Sequence, residues 1–209
     1  FLFDNKNGQL ILQNKDDLGY FLKNKLVKKD RISIVRGSGV DIKKFIPVEG
    51  STGVPIIMLA SRMLWDKGVG EFIDAAKILK QEGIRARFVL VGKNDSENPA
   101  SIPKRQLNEW HGSGVIEYWG EQTKMHEVLP KASIICLPSY REGLPKVLLE
   151  AASCSRPIIA TDVPGCREIV HNGKNGILVP IKNSNSLANA IKELIDNPEK
   201  RKSMGTNGR

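Results

Sequence analysis

The sequence has little of what announces a metal, a disulfide or a membrane span. Its three cysteines, Cys136, Cys154 and Cys166, are odd in number and show no CxxC spacing. Disulfides and a zinc site are therefore not expected, and a reducing compartment is the default. The three histidines, His111, His126 and His171, share no metal-ligand spacing, so packing or surface roles suit them and no metal ion is expected. Apolar runs such as Ile56 to Ala60 are far too short to cross a bilayer. No signal peptide opens the chain. Aromatic residues are only 6% of the whole, and Trp65, Trp110 and Trp119 are too scattered to stack bases. The net charge of +9 favours anionic partners, but no block of five positive residues occurs. Nucleic acid is not an expected partner. The P-loop pattern GxxxxGK[ST] is absent, and "GVGEFI" and "GSGVDI" end in Ile73 and Ile42 where GxGxxG needs a third glycine. A nicotinamide dehydrogenase thereby loses its main signature.

What is present is regular. A chain of 209 residues can bury a sizeable core. Residues 10–14 read as a short strand, Asp16 and Asp17 offer N-caps for a helix through Leu22 and Leu26, and "RISIVRGSGVD" reads as a second strand with a glycine turn. Pro47, Gly50, Ser51, Gly53 and Pro55 form the clearest linker, and a domain boundary is expected after residue 48. Beyond it, "PIIMLASR", "ARFVLVG", "VIEYWG", "SIICLPS", "PIIATDV" and "NGILVP" read as strands. Helices are expected near 70–82, 101–111, 123–132, 144–154, 166–171 and 185–196. Apolar strands alternating with helices predict an α/β fold with a doubly wound parallel sheet, Rossmann-like.

Ligands of such sheets sit beyond the carboxyl ends of the strands. That rule selects the loops 61–70, 92–98, 120–123, 139–145 and 161–168. Arg62 and Lys67 in "SRMLWDKG" suit a diphosphate, a bidentate fork beside a point charge; solvated loop charges are the alternative. In "SYREGLPKVLLEAASC", Gly143, Leu144 and Pro145 lead into a helix whose N-terminus makes an anion site. Glu142 and Glu150 flank it, and about 9 Å of helical rise separates Leu144 from Glu150. Two carboxylates so placed could hold hydroxyls at two points of one elongated molecule, as in a nucleotide sugar. The alternative is a capping acid and a buried, satisfied Glu.

"EGLPKVLLE" resembles the E-x7-E signature of the retaining glycosyltransferases of sequence family 4, which have the GT-B fold. "GSGVD", "FIP", "SRMLWDKG", "FVLVGKND" and the stretch from "WGEQTKMHEVLPKAS" to "NGILVP" agree in order and spacing, over nearly the whole chain. The likeness is strongest to the branch serving capsular polysaccharide, O-antigen and lipid-linked glycan assembly. The resemblance implies that Arg62 and Lys67 bind the donor diphosphate and that Glu142 contacts hydroxyls of the transferred sugar. It further implies that backbone around Gly143, Leu144 and Pro145 holds sugar and phosphate, that Glu150 bonds the ribose, and that Gly120, Glu121 and Gln122 flank the base. "VGKND" departs from the glycine-rich, acidic turn common at that place, so Lys93 receives no role.

On this reading residues 1–48 are a remnant of an N-terminal acceptor domain with its hinge, and residues 49–209 form the donor-binding domain, the C-terminal half of a GT-B enzyme. The opening without Met and the unfinished helix pattern of "RKSMGTNGR" read as an excised piece. The expected partners are a nucleotide sugar, a UDP-sugar foremost, and a glycan or lipid-linked acceptor bound through the missing domain. The reaction is expected to be metal-independent and without a cofactor. The expected location is the cytoplasm, with peripheral contact at the inner membrane face as an option. A piece holding half a cleft is expected to bind donor weakly and transfer nothing. Two other readings stand beside it: a UDP-sugar epimerase of the same fold, and a non-catalytic nucleotide-sugar binding module.

Overall fold

The structure, a computed structural model, describes residues 8–48 and 53–209. The expected boundary after residue 48, and the linker residues Gly50 and Ser51, lie outside the described residues. Before them, β1 (Leu10–Leu12), α1 (Lys15–Lys23) and β2 (Ile32–Ile34) form a small unit whose two strands pair in parallel. Its helix is capped by Asn14, whose side chain accepts the Asp17 amide at 2.7 Å. Asp16 and Asp17, expected as caps, occupy the first turn instead, where their charge complements the helix dipole.

The larger unit is a six-stranded parallel sheet. In chain order its strands are β3 (Ile56–Ala60), β4 (Arg87–Val91), β5 (Glu117–Tyr118), β6 (Ile134–Leu137), β7 (Ile158–Thr161) and β8 (Gly176–Val179). In space they run β5-β4-β3-β6-β7-β8. Every residue of β3, β6 and β7 is buried. Continuous apolar strands of this kind need cover on both faces, and helices supply it. Because side chains alternate across a strand, Ile57 and Leu59 face one core while Met58 and Ala60 face the other. On the first side lie α2 (Val69–Gln81), α3 (Lys104–Gly112) and α7 (Ser184–Asp196), with Phe72, Leu79, Leu107, Ile191 and Leu194 inward. On the second lie α4 (Met125–Val128), α5 (Lys146–Ser153) and α6 (Pro164–Arg167), contributing Val128, Leu148, Ala151 and Cys166.

Helix ends differ from expectation where proline or backbone geometry intervenes. The helix expected over 123–132 is α4 followed by a 3-10 turn, Leu129–Lys131, containing Pro130. The one expected from residue 144 starts at Lys146, with Pro145 in an extended conformation as the cap rather than in the first turn. The helix expected over 166–171 is the short α6, shifted toward Pro164. A further helix, α8 (Pro198–Gly208), closes the chain where only an unfinished pattern was legible; it buries just Met204 and Gly205, so it has no apolar stripe to read.

Candidate functional site

The strand order reverses between β3 and β6, and that reversal opens a crevice at their carboxyl ends. The five loops expected to meet there are tied to one another by hydrogen bonds. The Met63 amide donates to the Lys93 carbonyl at 3.0 Å, and the Gly92 amide to the Gly120 carbonyl at 2.8 Å. The Tyr140 amide reaches the Asp66 carbonyl at 2.8 Å, and the Gly165 amide the Glu142 carbonyl at 3.2 Å. Two glycines make these approaches possible. Gly68 has φ +70°, and a Cβ there would lie 2.1 Å from the Pro138 carbonyl oxygen; Gly92 has φ +145°, and its Cβ would lie 1.7 Å from that of Ser61.

One cleft of about 260 Å3 at this rim is lined by Arg62, Lys93, Glu121, Gln122, Val147 and Glu150, among others. Four residues singled out from the sequence thus share a cavity although 88 positions separate Arg62 from Glu150. Arg62 is largely exposed and bonds Asp95 at 3.1 Å. An exposed pair of that kind is worth at most about 1 kcal/mol, so an anion can displace Asp95 at little cost. Glu150 is 8% exposed and lies 3.6 Å from Lys146, one turn earlier. Burial raises its pKa, and the Lys146 ammonium only partly offsets the rise.

Lys67 and Glu142 form a second feature of the rim. Lys67 sits in a 3-10 turn, Trp65–Lys67, and its Nζ donates to Glu142 Oε1 at 2.8 Å. Their side chains are 17% and 13% exposed. Sequence reasoning placed these two residues on different parts of one ligand and did not anticipate the pair. The next residues are held from outside the sheet. The Asn14 side chain donates to the Gly143 carbonyl at 3.0 Å, and Leu144 packs against Gly37 of the "GSGVD" turn. Asp16 and Arg167 add an ion pair at 2.8 Å. Among the described residues the amides of Gly143 and Leu144 have no acceptor, and Pro145 carries no N–H at all. They remain available for an oxyanion.

Lys93 was given no role from sequence, yet it contributes both its carbonyl to the loop lacing and its side chain to the cleft wall. Its position one residue past the glycine that follows β4 was the available signal. Met125 and Val147, given no role from sequence, supply apolar lining. The cysteines are all buried; burial pushes the Cys154 thiol up to about 11 and the Cys166 thiol up to about 12, which leaves them poor nucleophiles. Among the described residues no helix is long and apolar enough to cross a membrane.

Fold and cleft together define a doubly wound α/β domain with a charged crevice at its topological switch point. The chain belongs to the glycosyl transferases group 1, whose family model matches residues 41–209. It is 32% identical over 212 residues to a Campylobacter jejuni protein, N,N'-diacetylbacillosaminyl-diphospho-undecaprenol alpha-1,3-N-acetylgalactosaminyltransferase, covering 95% of this chain and 54% of that protein. It is 27% identical over 157 residues to the Staphylococcus aureus capsular polysaccharide biosynthesis glycosyltransferase CapM, covering 74% of this chain and 40% of CapM. Anabaena HepE, crystallised in complex with UDP-glucose, superposes with a TM-score of 0.78 at 20% identity over 96% of this chain and 57% of HepE. Such structural likeness establishes the GT-B architecture and nothing finer. The chain spans about half the length of the curated relatives it matches.

The depth of Glu150 makes a pH prediction. Folding favours its protonated form, so its contribution to stability is full below the ordinary carboxylate range and is lost as pH rises through its raised value. Glu150→Gln should remove that dependence and be no less stable than the parent at pH 7, as read by urea melts at pH 4.5 and 7. If Glu150 accepts ligand hydroxyls as a carboxylate, the same variant binds nucleotide about tenfold more weakly.

Proposed function

We propose that this chain is the donor-binding part of a retaining glycosyltransferase of sequence family 4, taking a UDP-sugar and serving surface polysaccharide or lipid-linked glycan synthesis. The observation that carries the reading is the convergence of Arg62, Glu121, Gln122 and Glu150 on one cleft beside the Lys67–Glu142 pair. The relatives' names, a lipid-linked N-acetylgalactosaminyltransferase and a capsule enzyme, support the pathway class. HepE with UDP-glucose supports the donor.

In this reading Glu150 accepts the ribose hydroxyls, and the backbone at Gly120, Glu121 and Gln122 flanks the base. Arg62, Lys67 and the amides of Gly143 and Leu144 hold the diphosphate. Negative charge grows on the diphosphate as the glycosidic bond breaks, and these fixed donors stabilise it there with no metal ion required. Glu142 orients the sugar by its hydroxyls, and the acceptor approaches on the face the diphosphate leaves. Residues 49–209 are the donor domain; residues 1–48 are the adjoining part of an acceptor domain that lies outside this chain, so the chain binds but does not transfer.

Calorimetric titration with UDP and GDP tests the donor site. The expected result is UDP binding that persists in EDTA, is stronger than GDP binding, and is lost in Lys67→Ala. Absence of nucleotide binding by the wild-type chain would defeat the proposal.

A further inference from the structure

The opposite end of the sheet carries a second cationic cavity. Its volume is about 510 Å3, and Ser133, Arg156, Glu199, Arg201, Lys202 and Thr206 are among the residues lining it. Ser133 precedes β6 and Arg156 precedes β7, so this cavity lies at the amino ends of the strands, away from the cleft.

Arg156 is the unusual member. It is 8% exposed, and its Nε is buried without a hydrogen-bond partner. One Nη donates to the Val48 carbonyl. Among the described residues no carboxylate lies within ion-pair distance of it, although a buried cation without a counter-charge is costly. Arg201 stands in the same cavity, donating from Nη1 to the carbonyls of Leu194 and Ile195 at the end of α7. Burial lowers the pKa of both guanidinium groups. The N-terminus of α8 points into this place as well: Pro198 and Glu199 open the helix, and its cap residue Asn197 turns its side chain to Glu193 instead of to the first-turn amides. Glu199 at the rim forms no ion pair among the described residues.

We propose that this cavity is a binding site for a phosphate-type oxyanion, held by Arg156, Arg201, Lys202 and the first-turn amides of α8. The guanidinium donors not engaged by the Val48, Leu194 and Ile195 carbonyls remain for a tetrahedral oxyanion, and the helix end adds its dipole. The ligand is a phosphate group, carried either by a small soluble metabolite or by a lipid headgroup. Its position is notable for the cleft as well. Arg156 lies three residues past the end of α5, and the first turn of α5 lines the opposite site, so α5 and the turn that follows it connect the two.

The test uses inorganic phosphate as the soluble probe, by calorimetry and thermal melts, and vesicles containing phosphatidic acid as the lipid probe. Phosphate should raise the melting temperature of the wild-type chain, and Lys202→Glu and Arg201→Ala should each weaken binding about tenfold or more. Lys77→Met, on the exposed face of α2, should leave the phosphate affinity within about twofold. Vesicle capture that is lost in Lys202→Glu assigns the phosphate to a lipid; uptake of inorganic phosphate alone assigns it to a soluble ligand. No uptake of either probe overturns the site. Uptake that survives both Arg201→Ala and Lys202→Glu places the anion elsewhere and also overturns it. The site does not depend on UDP as donor, so either reading can fail without the other.

Discussion

Gly92→Ala should melt about 10 °C or more below the wild-type chain and bind no nucleotide. Two costs coincide at this position. Its φ of +145° is a conformation that a side chain strains, at about 1–3 kcal/mol. A Cβ would also lie 1.7 Å from the Ser61 carbonyl oxygen and 3.2 Å from the Met63 terminal carbon. A backbone oxygen cannot swing aside as a side-chain tip does, so the end of β3 must shift, adding about 1–3 kcal/mol of overpacking. Together these come to about 2–6 kcal/mol, a large share of the stability of an ordinary domain, about 5–15 kcal/mol. The shift would also break the Ser61 amide's bond to the Val91 carbonyl at 3.0 Å and the Gly92 amide's bond to Gly120 at 2.8 Å. Arg62 and the 120–122 loop would then lose their common frame. Gly19→Ala is the control: that glycine lies within α1 with nothing inside 4 Å of a new Cβ, so alanine should stabilise by about 1 kcal/mol. A Gly92→Ala chain melting within about 2 °C of wild type would show that the crossing is not rigid.

The same contrast between local and tertiary information explains what the sequence could show. Strands such as Ile56–Ala60 and Ile158–Thr161 were legible because burial on both faces demands unbroken apolar runs. The loops of the site were legible because a parallel α/β sheet gathers its strand ends on one edge. Helix α8 was not, since it packs by a close glycine contact at Ser155 rather than by an apolar stripe. Asn14 looked like part of a strand, and only the folded chain shows it capping α1 while holding the Gly143 carbonyl from 129 positions away. Lys93 was passed over because its turn lacked the usual composition, although position alone put it at the cleft. Residue type told where charge was available; distance told which charges were already paired.

Lys67 and Glu142 are the case where that difference changes an expected result. Each side chain is more than four-fifths buried, and each is the other's ion-pair partner at 2.8 Å. Lys67→Ala leaves a carboxylate with little water and no cation, which should cost about 1–3 kcal/mol, below the loss for a fully buried pair because some solvent reaches it. The double variant Lys67→Met/Glu142→Gln removes both charges at similar volume and should recover stability to within about 1 kcal/mol of the parent. Recovery of the fold should not restore UDP, because the point charge for the diphosphate is gone; affinity should stay at least about tenfold down. Glu142→Gln alone has the opposite sign. It frees the ammonium from its competitor, so UDP should bind as well as or better than to the parent, while the extra affinity for a UDP-sugar over UDP should shrink. Urea melts and calorimetry on the three variants separate the roles. A double variant that binds UDP like the parent would make the pair a purely structural bridge between the β3 and β6 loops, and the diphosphate would then rest on Arg62 and the amides of Gly143 and Leu144.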